Sequence, residues 1–164
     1  MSVIDRSLDS LSFLTDGARE VLRRRLRELT GIALIAFAML LSVALATWSV
    51  QDPSLSHATN APVRNLLGIP GATVADFAMQ LLGFGSLALV LPIAVWGWRL
   101  STHRPLCRER IRLAIWIVGV GLAATFAATV PPTPSWPLPA GLGGVGGDAL
   151  LRLTTMLTGD PPVG

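Results

Sequence analysis

Two side chains have the type and spacing to hold a metal. His103 and Cys107 stand four residues apart, a separation that places two ligands on one helix face. Pro105 between them disfavours a regular helix, and the sequence has one other His and no other Cys to complete a tetrahedral set. We expect no metal. A second candidate is the glycine cluster Gly141, Gly143, Gly144, Gly146 and Gly147, which follows the proline-rich run Pro131–Pro139. Phosphate-binding loops use such glycines, but a nucleotide loop also needs a Lys followed by Ser or Thr to reach the phosphates. All 13 basic residues are Arg, so amine chemistry of every kind is excluded. The glycines are read as a tight turn. No catalytic residue and no cofactor is expected.

The elements that carry these residues are apolar. Of 164 residues 51% are apolar and 14% charged, and mean hydropathy is +0.58. A soluble domain carries about 25% charged residues, so a soluble enzyme is disfavoured. Crossing a hydrocarbon core takes about 20 apolar helical residues. Uncharged runs place spans at 29–50, 77–98 and 113–130, the last stopped by Pro131 and Pro132. The expected fold class is all-α, a polytopic set of transmembrane helices. It divides into a cytoplasmic Arg-rich segment (1–28), a membrane domain (29–130) and an exported Pro/Gly-rich loop (131–164).

Orientation follows from the arginines, because cytoplasmic flanks retain them and exported loops lose them. Eleven of the 13 lie in residues 1–30 and 99–112, while Arg64 and Arg152 stand alone in the other loops. The N-terminus and the 99–112 loop are therefore expected in the cytoplasm. All five Trp lie near span ends, in keeping with a headgroup belt. Ala44-Leu45-Ala46 spells a cleavage pattern, but the apolar run before it exceeds the h-region of a signal peptide, about 7–15 residues. Cleavage is not expected.

Within this frame Asp16 is expected to cap a helix through Ala18, Leu22, Leu26 and Leu29, with Arg23, Arg24, Arg25 and Arg27 on its other face. Together with Arg104, Arg108, Arg110 and Arg112 they set topology or meet anionic lipid. Small residues four apart, Ala38, Ser42 and Ala46 in the first span and Gly119, Ala123 and Ala127 in the third, mark candidate packing seams. Pro92 is expected to kink the second span, and a neighbour must satisfy the carbonyl it frees. No ionisable residue falls inside any expected span, which disfavours a pump or channel.

The loops carry a resemblance. Gln51-Asp52-Pro53-Ser54-Leu55-Ser56, Asn65-Leu66-Leu67-Gly68-Ile69-Pro70-Gly71-Ala72, Ala75-Asp76, Leu82-Gly83-Phe84-Gly85 and Leu138-Pro139-Ala140-Gly141-Leu142-Gly143-Gly144 occur in order from about Arg25 to Asp148. Together they resemble the N-terminal membrane domain of FtsK/SpoIIIE-type DNA translocases. The resemblance implies a four-span, inner-membrane anchor of the division apparatus at the septum, with other cell-division membrane proteins and lipids as partners. It also implies self-association of the full-length family member. The family's ATPase motor is not in this sequence, so this chain is expected to be non-enzymatic and to make no direct DNA contact. With three spans the chain is expected to be a truncated or split product lacking the fourth. Asp52, Pro53, Asn65, Gly68 and Gly71 are expected to shape the first exported loop, Gly68 and Gly71 by backbone freedom, and Gly143 and Gly144 the last one. The alternative is an unrelated three-span protein, a transporter accessory subunit or a holin-like protein.

Overall fold

No proline occurs before Pro53, so none interrupts the first helix. In the computed structural model, which describes residues 3–54, 62–104, 108–134 and 136–159, helix α1 spans Val3–Ala46. It passes straight through Asp16, which is therefore interior to the helix and not its cap. At about 1.5 Å per residue, its 44 residues are long enough to cross a membrane and project well beyond it. The remaining elements are α2 (Gly68–Leu82), a 3₁₀ segment (Gly83–Leu89), α3 (Val90–Ser101), α4 (Glu109–Ala128) and α5 (Gly144–Thr158). Regular structure among the described residues is all helical.

Among the described residues three stretches are long and apolar enough to cross a membrane: Gly17–Ala46, Gly68–Ser101 and Glu109–Ala128. The second begins earlier than the uncharged run suggests, and this brings Asp76 inside it. Asp76 is 6% exposed and accepts a hydrogen bond from Gln80 Nε2 at 2.9 Å. Asp76 thus stands one residue before the uncharged run 77–98, within the same helix.

The second stretch is also broken, and not by Pro92. Gly83 turns left-handed (φ +54°), and the amide of Phe84 donates to Leu142 O at 2.9 Å instead of continuing the α-helical ladder. Seven residues of 3₁₀ helix follow, longer than the three or four such segments usually reach. Pro92 stands in the first turn of α3, where a missing amide costs little. The carbonyl four residues before it, Ala88 O, is met by the indole N–H of Trp116 at 3.3 Å, the neighbour that the proline requires.

This broken rod is the hub of the packing. Helix α1 lies along α3, and its far half, Leu41, Ala44 and Leu45, packs on Ala75, Ala78 and Met79 of α2. On the other side α4 packs on the 3₁₀ segment, and α5 folds back onto both α4 and α2. Residues 144–158, within the segment expected as an exported loop, thus form a helix docked on the bundle. Large apolar side chains remain outside: Phe37, Met39 and Leu40 on α1, Ile115, Ile117, Val118, Leu122 and Phe126 on α4. Such a surface suits hydrocarbon and not water.

Candidate functional site

The polar and glycine residues singled out from the sequence fall at one end of the bundle, the arginines at the other. At the first end α1 stops at Ala46, leaving its last carbonyls without helical partners. The Asn65 carboxamide takes their place: its Nδ2 donates to Ala44 O at 2.9 Å and to Thr47 O at 3.4 Å, while its Oδ1 accepts from Leu67 N–H at 3.1 Å. Asp52 holds Asn65 in turn. Its two oxygens accept from the amides of Arg64 (2.8 Å) and Asn65 (3.0 Å). Thr47 Oγ1 accepts from Leu66 N–H at 3.3 Å and donates to Val43 O at 2.7 Å. Asp52 and Asn65 are 3% and 4% exposed, so this knot is closed to solvent. Half-buried Pro53 fixes φ next to Asp52.

Glycines complete the same end. Gly68 is left-handed (φ +67°) and turns the chain into α2. Gly71 differs from the expectation: it sits inside α2, and its bare α-carbon makes room for the Asn65 carboxamide, a matter of space and not of backbone freedom. Gly144 (φ +65°) approaches Gly83 so closely that a Cβ would lie 2.7 Å from the Gly83 nitrogen, and Gly143 presses on Ala124 and Ala128 of α4. Trp136 packs nearby on Trp48 and Phe84, with ring centroids 6.1 and 5.1 Å away, and its Nε1 donates to Gly141 O at 2.9 Å.

The two small-residue ladders match the helix seams only in part. In α1, Ala38 is buried at 2% and the Ser42 hydroxyl donates back to its carbonyl at 2.8 Å, but Ala46 is exposed. In α4 the seam is Val120 and Ala124, exposed 7% and 0%, while Gly119 faces open space and Ala123 and Ala127 are half-buried. The true seam lies one residue along, because Gly85, Gly143 and Gly147 all close on Ala124. A further seam was missed. Gly31 of α1 meets Gly97 and Ser101 of α3, where a Cβ on Gly31 would stand 2.6 Å from Gly97 O. Gly97 and Ser101 have the four-residue spacing that could have revealed it.

Trp96 and Trp116 meet edge to face at 5.4 Å, and the Trp116 N–H is committed to Ala88.

At the opposite end, Arg23, Arg24, Arg25, Arg27, Arg104, Arg108 and Arg110 are exposed and Arg112 is half-buried. Of these eight, Arg25 alone is ion-paired among the described residues, to Glu28 at 2.8 Å. The other Glu28 oxygen takes His103 Nε2 at 3.0 Å, linking α1 to the turn after α3. That pair had no signature in the sequence. Cys107, the proposed mate of His103, lies outside the described residues. No group of three or more metal-ligating side chains occurs among the described residues.

The arrangement offers tightly packed helices, a lipid-suited exterior and, among the described residues, no convergent set of catalytic side chains. Residues 23–161 match the family model for the 4TM region of DNA translocase FtsK/SpoIIIE. The chain is 54% identical over 161 residues to the DNA translocase FtsK of Bradyrhizobium diazoefficiens, covering 98% of this chain and 20% of the relative. It is 42% identical over 144 residues to that of Brucella suis (88% and 17%) and 43% over 141 residues to that of Agrobacterium fabrum (86% and 16%). The chain therefore spans a fifth or less of the length of these relatives. No solved structure matches. This multi-pass helical bundle, similar to those relatives across nearly its whole length, belongs to the FtsK/SpoIIIE DNA translocase family and corresponds to its membrane region.

Proposed function

We propose that this chain is the membrane-anchoring and divisome-interacting part of an FtsK-like DNA translocase acting in cell division and chromosome segregation. The observation that carries the reading is the match of residues 23–161 to the 4TM region, on a bundle whose exterior is apolar along its helices. Family membership removes the alternative of an unrelated three-span protein. In this reading α5 is the first part of the fourth span. It runs antiparallel to α4, with Gly147 beside Ala124 and Leu150 beside Gly121, and so heads back toward the arginine end. In this reading the fourth span begins within residues 144–158, in place of an exported loop leading to a missing one. Its 15 residues cover about 22 Å at 1.5 Å per residue, against a core of about 30 Å.

The arginine end lies in the cytoplasm in this reading, on the eleven-to-two division of Arg. The chain has no ATPase activity of its own, since it has no Lys to build a nucleotide loop. Its partners are membrane lipids and other cell-division membrane proteins, with self-association in the full-length protein and no direct DNA contact here. An N-terminal fluorescent fusion is expected to gather at mid-cell in dividing cells. Uniform envelope fluorescence would count against septal recruitment by this region. In spheroplasts, a cysteine substituted for the exposed Pro62 should react with an impermeant maleimide and native Cys107 should not; the reverse pattern would invert the topology.

A further inference from the structure

Between the arginine end of α1 and the C-terminal end of α3 lies a cavity of about 650 Å³, whose lining includes Glu20, Arg24, Arg27, Arg104 and Glu109. On α1 the charged lining residues 20, 24 and 27 recur at helical spacing, so one face of the helix forms a wall. Among the described residues Arg24, Arg27 and Arg104 have no ion-pair partner, and neither do Glu20 and Glu109. His103 is held aside by Glu28. Among the lining residues three guanidiniums stand against two carboxylates, a net positive balance, with Glu28 near enough to Arg24 to feel its charge.

Its depth matches a headgroup. The uncharged run begins at Leu29, so Arg27 and Arg24 lie about 3 and 8 Å below it along the helix at 1.5 Å per residue, and Glu20, about 14 Å below, stands on the aqueous side of the headgroup layer. The polar layer of a leaflet begins at that level and is roughly 5–7 Å deep. Val21 and Leu100 supply apolar wall, and Leu26 and Leu29 are exposed on α1 near the start of the run, where acyl chains would lie. We propose that this recess binds the phosphate of an anionic phospholipid headgroup, with Arg24, Arg27 and Arg104 as donors to its oxygens. Planar guanidinium groups suit phosphate because they present paired donors. Glu109 accepts a hydrogen bond from a glycerol hydroxyl, and the net positive balance of the lining favours an anionic headgroup over a zwitterionic one. This site does not depend on divisome recruitment.

The test uses the whole chain in detergent, titrated with phosphatidylglycerol, cardiolipin or phosphatidylethanolamine of matched acyl chains and read by native mass spectrometry. The two anionic lipids should remain bound and phosphatidylethanolamine should not. The triple variant Arg24→Gln, Arg27→Gln, Arg104→Gln should weaken retention tenfold or more. A charge-matched triple outside the recess, Arg23→Gln, Arg110→Gln, Arg112→Gln, should change it less than threefold. Equal losses in both triples would assign the attraction to the diffuse field of the flank and overturn the site. Equal retention of phosphatidylethanolamine would overturn the anionic headgroup. Displacement of lipid by millimolar inorganic phosphate would assign the recess to a soluble anion and overturn the lipid source. Unchanged helical circular dichroism in both triples excludes loss of fold as the cause.

Discussion

The two ends of the bundle use polar groups in opposite ways. At the Asp52 end, the side chains of Asp52, Asn65 and Thr47 point inward onto backbone amides and carbonyls. At the arginine end, seven of the eight flank arginines in residues 23–27 and 104–112 make no ion pair among the described residues, and most are exposed. A buried polar group must be satisfied within the protein, so the first set is committed to holding helices together. An exposed cation is satisfied by water, lipid or a ligand, so the second set contributes little to the fold and stays available. Polar side chains therefore serve architecture at one end and contact with the surroundings at the other.

The sharpest way to break the packing between the two ends is Gly97→Leu. A side chain there is driven into the Gly31 carbonyl, 2.7 Å from the Cβ position, and should cost about 3 kcal/mol, read as a lower thermal midpoint in detergent. Asn65→Ala comes next. It strips the carbonyls at the end of α1 of their donor and should cost about 2 kcal/mol by the same measurement, with faster hydrogen exchange at Leu67. Trp116→Phe keeps an aromatic ring and loses the hydrogen bond to Ala88 O, which predicts about 1 kcal/mol. The arginine triple at positions 24, 27 and 104 is the contrasting case. It should move the midpoint by less than about 0.5 kcal/mol while lowering anionic lipid retention, because exposed unpaired charges carry little stability. A loss of stability in that triple as large as in Asn65→Ala would erase the distinction between the ends.

The Asp52 knot was legible as a set of residue types but not as a mechanism. Asp52 and Asn65 were expected to shape a loop, yet nothing along the chain says that a carboxylate will bind amides twelve and thirteen residues later. Gly71 shows the same boundary: its identity pointed to a constrained place, and only the approach of Asn65 tells that space, not backbone freedom, is what it provides. The α4 ladder shows why such readings slip. Small residues at 119, 121, 123, 124, 127 and 128 permit several ladders, and the sequence of α4 alone does not choose among them.

By itself the sequence determined the membrane character of the chain, the three uncharged runs, the exclusion of amine chemistry and the family to which its ordered loop blocks belong. Each is a sum or an order along the chain: hydropathy adds residue by residue, and a missing Lys is missing everywhere. The tertiary structure alone decided where the second rod breaks, that residues 144–158 dock as a helix, that Ala124 and not Ala123 is the close contact, and that Glu28 reaches His103. These depend on which backbones can approach within a few ångströms of one another. Phe84 gives its amide to Leu142 because Gly83 and Gly144 have no side chains to keep the two segments apart.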